Sequence, residues 1–359
     1  AYVKAPVLPA YQGRAASLQG GHLSEQQAES EWAGVHLEGW KDPDAMAREW
    51  SEFQAATAAA DRPGEFVAMP GYEWQGNARW GDHNVIYRHE GPPICTAPTL
   101  PELYQYLKSL DVPALAIPHH TGYYVGQRAP TWSACDDQLS PFAEVYSIHG
   151  CSETDEEWVG LRHNSHMGPG VGGGTYQEAL DQGLCLGAIC STDNWTNMPG
   201  RWGHGLMACL ATELTREALW EAFLSRRVYG VTGDRIALSF TCNGAQMGSR
   251  LRATPPREIE IHVRGADAID RIELLRNGQV IATHCHQGTW RPPRPGKRTR
   301  FKLRIEAGWG PRPGEIPLPE THWQGTLSID GGRFVGWEPC WIARGQGVPD
   351  LDGDSARFA

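Results

Sequence analysis

The spacing of apolar positions changes along the chain and divides it. Beyond Asp44, Met46, Trp50 and Phe53 fall at helical spacing, which predicts one apolar stripe on a helix ending near the alanines at 58–60. EFVAMP, residues 65–70, reads as a short buried strand stopped by Pro70-Gly71, and HNVIYR, residues 83–88, as a second strand. Thr99 opens a helix with Glu102 three residues on, the spacing of a reciprocal N-terminal cap, and Leu103, Leu107 and Leu110 line its inner face. VPALAIP, ending at Pro118, and FAEVYS, residues 142–147, are strands of the fully buried type. Thr175 and Glu178 repeat the capping spacing, and Gly183 ends that helix. LCLGAICS, residues 184–191, is the next buried strand. A last amphipathic helix runs from about Thr215 to Arg227, with Glu217 near its start and Arg226 and Arg227 in its last turn, each favourable to the helix dipole.

Short apolar strands alternating with capped helices predict parallel βα units, so residues 44–235 are expected to form an α/β catalytic domain, a βα barrel. After about Asp234 the helices stop. IALSF, EIEIHV, RIELL, QVIAT, FKLRI and TLSID alternate as half-buried strands do, and Asn277-Gly278 is the signal of a type I′ hairpin. A small all-β sandwich is therefore expected over 236–359. Residues 1–43, rich in Gly, Ala, Gln and Ser, read as an irregular arm, RPPRPGKR (291–298) as an exposed loop, and VGGG (171–174) as a flexible loop.

Composition narrows the function classes. A hydrophobic fraction of 40% with 21% charged residues is that of an ordinary globular protein. No apolar run approaches the roughly 18 residues of a membrane span. A net charge of -10 argues against a nucleic-acid partner, which needs a basic face. The nine cysteines are dispersed, without a CxxC pair, which points to reduced thiols and a cytoplasmic location. The first residues lack the charged start and apolar core of a signal peptide, and also an initiator Met; a removed N-terminal segment would make the periplasm the alternative. Several of the fifteen tryptophans stand beside glycines and are read as loop packing.

The candidate chemistry gathers at predicted strand ends. Glu73 follows FVAMPGY, His119 and His120 follow PALAIP, Glu144 and His149 belong to FAEVYSIH, Asp193 follows LCLGAICST, and His204 stands in GHG. In a βα barrel these ends meet at one mouth, where imidazoles and carboxylates make a mixed nitrogen and oxygen ligand set for Zn, Mn or Fe. Each residue alone has a plainer role: a loop hydrogen bond for Glu73, carbonyl capping for the two histidines, an Asx-turn for Asp193. Their joint placement after strands carries the metal reading. Neither a GxxxxGK phosphate loop nor a GxSxG nucleophile elbow is present, so the sequence gives no support to serine or cysteine nucleophiles.

The strings FVAMPGYEW, GDHNVIY, IPHHTGY, EVYSIHGCSE, ICSTDN, PGRWGHG and LTREALWEAFLSRRVYGVTGDRI, in this order, resemble a bacterial group of the PHP (polymerase and histidinol phosphatase) superfamily whose function is unassigned. The resemblance covers about Asp44 to Gly248. It implies a distorted βα barrel holding up to three divalent metals and hydrolysing phosphoesters. By motif, Glu73 resembles a bridging carboxylate, and His83, His119 and Asp193 resemble ligands. His204 is similar to a further ligand or substrate contact, Glu144 and His149 to residues lining the site, and His120, Asp234 and Arg235 to groups behind the ligands or against the substrate. Two departures stand out. The family's early HxH and TDH motifs are absent, His22 and His36 standing alone, and Trp195 replaces the His that ends its SDNH-type motif.

The function expected is hydrolysis of a phosphoester in a small anionic substrate by metal-activated water, with more than one Zn, Mn or Fe. His120 or His204 is expected to donate the leaving-group proton, and Arg235 to pair with an anionic oxygen. Two alternatives are a metal-dependent hydrolase of a non-phosphate ester, amide or lactone, and a metal-depleted binding or scaffold protein.

Overall fold

The computed structural model describes residues 43–77, 79–155, 157, 161, 170, 172–193, 205–252, 255–266, 269–285, 296, 298, 300–301, 324–337 and 349–358. His204, Trp195, nearly all of the arm, and most of RPPRPGKR and FKLRI lie outside them.

The first helix, α1, spans Pro43–Ala60 and buries Trp50, Gln54 and Thr57, positions four and three apart on one face. Trp50 Nε1 donates to the Pro92 carbonyl at 2.8 Å, which anchors that face. EFVAMP is not a strand. Phe66 is half exposed and only bridges to Arg62, whereas the strand β1, Gly71–Trp74, begins after Pro70. Proline has no N–H to give a ladder, so it stands ahead of the strand rather than ending one.

Strands β2 (Asp82–Tyr87) and β3 (Ala114–His119) complete a three-stranded sheet of order β1-β2-β3, antiparallel throughout. Helix α2, Leu100–Lys108, lies between β2 and β3 in sequence and carries the expected Thr99–Glu102 capping box. Strands β4 (Phe142–Ser147), β5 (Gly150–Cys151) and β6 (Gly187–Cys190) make a second sheet of order β5-β4-β6, in which β4 and β6 run parallel. Helix α3, Tyr176–Asp181, connects them under the Thr175–Glu178 capping box. β7 (Gly205–Cys209) and β8 (Val228–Thr232) pair antiparallel around α4, Arg216–Leu224. β3 lies beside β4, and β6 beside β8.

The expected βα barrel is therefore not found. Among the described strand pairs only β4–β6 is parallel, the sheets are small, and no closed barrel forms. The seven residues between β1 and β2 are too few for a crossover, and α2 joins two strands that pair antiparallel.

The three-stranded sheet packs on both faces. Tyr72, Trp74, Val85, Tyr87 and Ala116 face α1 and α2 with Leu100 and Leu103. Ile86, Leu115 and Ile117 face Phe142, Ile189 and Trp220. Further on, β9 (Ala237–Cys242), β10 (Ala245–Gln246) and β11 (Ile259–Arg264) form one antiparallel sheet, β12 (Arg271–Arg276) and β13 (Gln279–Cys285) a hairpin, and β14 (Gly325–Ser328), β15 (Asp350–Asp352) and β16 (Ser355–Phe358) another sheet. The hairpin turns through Asn277 and Gly278, both with positive φ (51° and 71°), as the type I′ signal required. The eight described cysteines are free thiols, and no described helix is long and apolar enough to cross a membrane.

Candidate metal centre

Alternation along the antiparallel sheet decides which polar groups meet. Pairing sets Glu73 opposite Asn84 and Asp82 opposite His119, so Glu73, Asp82 and His119 share one face. Because β2 runs against its neighbours, it delivers its first residue, Asp82, to the end where β1 and β3 deliver their last ones. His83 points the other way. Its ring lies edge-on to Trp74 and Tyr104, its Nδ1 is 3.1 Å from the Gly81 carbonyl, and burial lowers its pKa to about 4. The ligand position expected at His83 is thus on the far face of the sheet, and Asp82, which sequence reasoning missed, is on the near one.

Strand β4 brings Glu144 to this face, and the segment after β6 brings Asp193. His119 Nδ1 is 2.9 Å from Glu144 Oε1, and Ser191 Oγ donates to Glu144 Oε2. His119 Nε2 is fully buried, makes no hydrogen bond, and lies 3.6 Å from Asp193 Oδ2. His120 Nε2 lies 3.9 Å from Glu73 Oε1, 3.8 Å from Asp82 Oδ2 and 3.9 Å from Asp193 Oδ2. His149, in the β4–β5 turn, places Nε2 3.0 Å from Asp193 Oδ2. The rings of His119 and His120 are 3.7 Å apart. His120 and Asp193 have φ of 55° and 38°, the left-handed region that non-glycine residues rarely adopt. Such backbone conformations concentrate at functional sites, where the surroundings hold them in place.

Electrostatics follow from burial. Burial pushes the Asp82 carboxyl up to about 7, against the pull of Arg128, whose guanidinium is hydrogen-bonded to it. Burial opposes charge on His119, but Glu144 and then Asp193 outweigh it and raise its pKa to about 10. On the same face of the sheet, an opening of about 280 Å³ is lined by Asn84, Ile117, Phe142, Glu144, Ile189 and Met207, among others.

Two sets of donor atoms lie within 4.8 Å of one another here, Glu73 with His119 and His120, and His120 with His149 and Asp193. Atoms each about 2.1 Å from one cation sit roughly 3 to 4 Å apart, and the separations of 3.6 to 3.9 Å above fall in that range. A buried imidazole with one nitrogen fixed by a carboxylate and the other free of hydrogen bonds is how metal-binding histidines are held. The donor set thus fits a divalent cation. Asp234 accepts from the Ala266 backbone N–H at 3.2 Å, and Arg235 is exposed between β8 and β9. Neither belongs to the two donor sets.

Comparison with known proteins adds relatives but no chemistry. No solved structure matches the chain. It is 34% identical over 158 residues to an uncharacterized protein of Chlamydia pneumoniae, covering 39% of this chain and 25% of that one. An uncharacterized protein of Chlamydia muridarum is 31% identical over 160 residues, 40% of this chain and 26% of that one. One of Chlamydia trachomatis is 27% identical over 212 residues, 54% of this chain and 33% of that one. The chain therefore spans a quarter to a third of the length of these relatives. The family described as "Protein of unknown function (DUF3604)" matches residues 9–154 and 149–254, well over half of the sequence, and the chain belongs to that family.

Proposed function

We propose that this chain carries the centre of a divalent-metal-dependent hydrolase acting on a small anionic substrate. The observation that supports it most is the convergence of Glu73, Asp82, His119, His120 and Asp193 from four separate strand ends onto one buried cluster. Zn, Mn and Fe suit such a mixed nitrogen and oxygen set. A phosphoester as the bond cleaved rests on the PHP resemblance, and an ester, amide or lactone is open to the same chemistry.

In this reading a bound divalent cation supplies the charge that turns water into a nucleophile near neutral pH and polarises the scissile group. Glu73, His119, His120 and Asp193 hold it. Asp82 adds a carboxylate whose Oδ1 is buried without a hydrogen bond. Glu144 fixes the His119 ring through Nδ1 and leaves Nε2 facing the site. His120, between three carboxylates, is read as a ligand rather than as the proton donor.

A second reading, a cation-free binding module, draws on one observation. Arg128 and a protonated His119 together offset part of the buried negative charge without any cation. One experiment separates the two. Elemental analysis of purified protein, before and after chelation, is expected to find about one equivalent or more of Zn, Mn or Fe. Cleavage of a chromogenic phosphoester should then follow metal content and vanish in His119→Ala and Asp193→Ala. Protein that takes up no cation at all would overturn the hydrolase.

A further inference from the structure

The two faces of the β1-β2-β3 sheet are closed to different degrees. Towards α1 and α2, Tyr72, Trp74, His83, Val85 and Tyr87 are buried. On the other face Asn84 and Ile86 stay half-buried, although they stand between layers. Met207 on β7 and Phe223 on α4, packed into the same apolar cluster as Ile86, are half-buried too. All four border the opening of about 280 Å³. Close-packed interiors leave few voids wider than a water molecule, and this one is many times larger.

The two-residue period of strands fixes where the hollow lies relative to the cluster. Ile117 precedes His119 by two residues on β3, Phe142 precedes Glu144 on β4, and Ile189 precedes Ser191 at the end of β6. On β2, which runs against β3, the order is Asp82, Asn84, Ile86. The apolar floor therefore lies one row of same-face side chains beyond the cluster, about 7 Å away. Glu144 belongs to both, its two oxygens held by His119 and Ser191. It is the one charged group among the described lining residues, so the hollow offers no cation to a second phosphate. Beyond the rim the walls are Ile86, Ile117, Phe142, Ile189, Met207 and Phe223, which would leave the hydroxyls of a sugar without partners. Phe142 and Phe223 meet edge-on, ring centroids 5.5 Å apart, and with the Met207 thioether they favour a flat aromatic guest. A dry apolar cavity of about 150 Å³ holds one benzene ring. We propose that this hollow is the subsite for an aromatic group of the substrate, which is then an anionic ester carrying one or two aromatic rings rather than a sugar phosphate or a nucleotide. That the guest is part of a substrate rests on the hydrolase reading above; that the hollow takes an aromatic ring does not.

The test begins with the cation-free full chain, its methionine methyls labelled with ¹³C, and indole as a neutral aromatic probe. Saturable binding is expected to shift the Met207 methyl signal by ring current, with Met207→Leu to assign it, and glycerol at the same concentration should not move it. Met207→Trp, which fills the hollow, should raise the dissociation constant for indole by about tenfold. The Mn²⁺-loaded protein should hydrolyse benzyl phosphate with a kcat/KM about tenfold above that for glycerol phosphate, whose alcohol leaves about as readily. A Met207 methyl that indole does not move overturns the proposal, and that measurement stands even if Met207→Trp fails to fold. Unchanged indole affinity in folded Met207→Trp overturns it too, as does equal efficiency on the two phosphates. A shifted methyl in a protein that cleaves neither phosphate would retain the aromatic site and overturn the hydrolase instead. Cleavage of both phosphates alike, with the methyl unmoved, would retain the hydrolase and overturn the subsite.

Discussion

Asp82 and His83 are adjacent in sequence and face opposite sides of β2, so only one of them can serve the cluster. Asp82→Asn is expected to weaken Mn²⁺ binding by about tenfold or more, whereas His83→Phe should leave it unchanged within about twofold; calorimetry reads both. His83 carries a separate prediction. Its folded pKa of about 4 lies below the ordinary 6.5 because burial disfavours the cation. The unfolded chain therefore binds a proton that the folded one refuses as pH falls through that window. The stability held by neutral His83 is complete above about pH 6.5 and drains away towards pH 4, by up to about 3 kcal/mol. The urea midpoint should fall more steeply over this range in the native protein than in His83→Phe, and equal slopes would refute the assignment. At this scale the sequence made Glu73, His119, His149 and Asp193 visible, since they stand at or near strand ends, and Glu144 as a carboxylate inside an apolar strand. It did not show Asp82, because choosing between two neighbours on a strand requires the register.

Elements were legible where local chemistry sets them. Both capping boxes depend on two residues three apart, and the Asn277-Gly278 turn on two adjacent ones, so each could be read without knowing the fold. Strand pairing could not, because parallel and antiparallel ladders draw on the same apolar runs. The close fit between β6 and β8 is one consequence of pairing that no local pattern signals. A Cβ on Gly230 would stand 2.3 Å from Cys190 Sγ and 2.7 Å from Cys190 N. Gly230→Ala must therefore push β8 away from β6, the strand that leads into Asp193. Overpacking of this kind costs about 2 kcal/mol. The thermal midpoint should drop by roughly 5 °C on that estimate, and Mn²⁺ affinity should fall with it. A variant as stable as its parent would show that the two strands have room to separate.

Across the molecule, one side chain joins elements far apart in sequence. Arg216, at the start of α4, is almost fully buried, and its guanidinium grips both oxygens of Glu90 at 2.9 and 2.7 Å, just beyond β2. Its Nε also lies 3.2 Å from Asp61 Oδ2, at the end of α1. The helix that carries Arg216 is thus fastened to the segments flanking the three-stranded sheet, and sequence alone could not show this, since the partners are more than 120 residues away. Removing the cation would leave two carboxylates without their counter-charge, so Arg216→Met should cost about 3 kcal/mol. The hydrogen bonds from Arg216 hold the Glu90 carboxyl below its usual range. A depressed carboxylate stabilises the fold above the ordinary carboxylate pKa and loses that contribution as pH falls through its own, lower value. The native protein should therefore lose stability on acidification through the region below about pH 4.5, and Arg216→Met should show less of that loss. Chemical denaturation of both proteins at a series of pH values makes the comparison; parallel curves would mean that the clamp contributes nothing to the acid limb, and that α4 is held by the apolar packing of Trp220 and Phe223 alone.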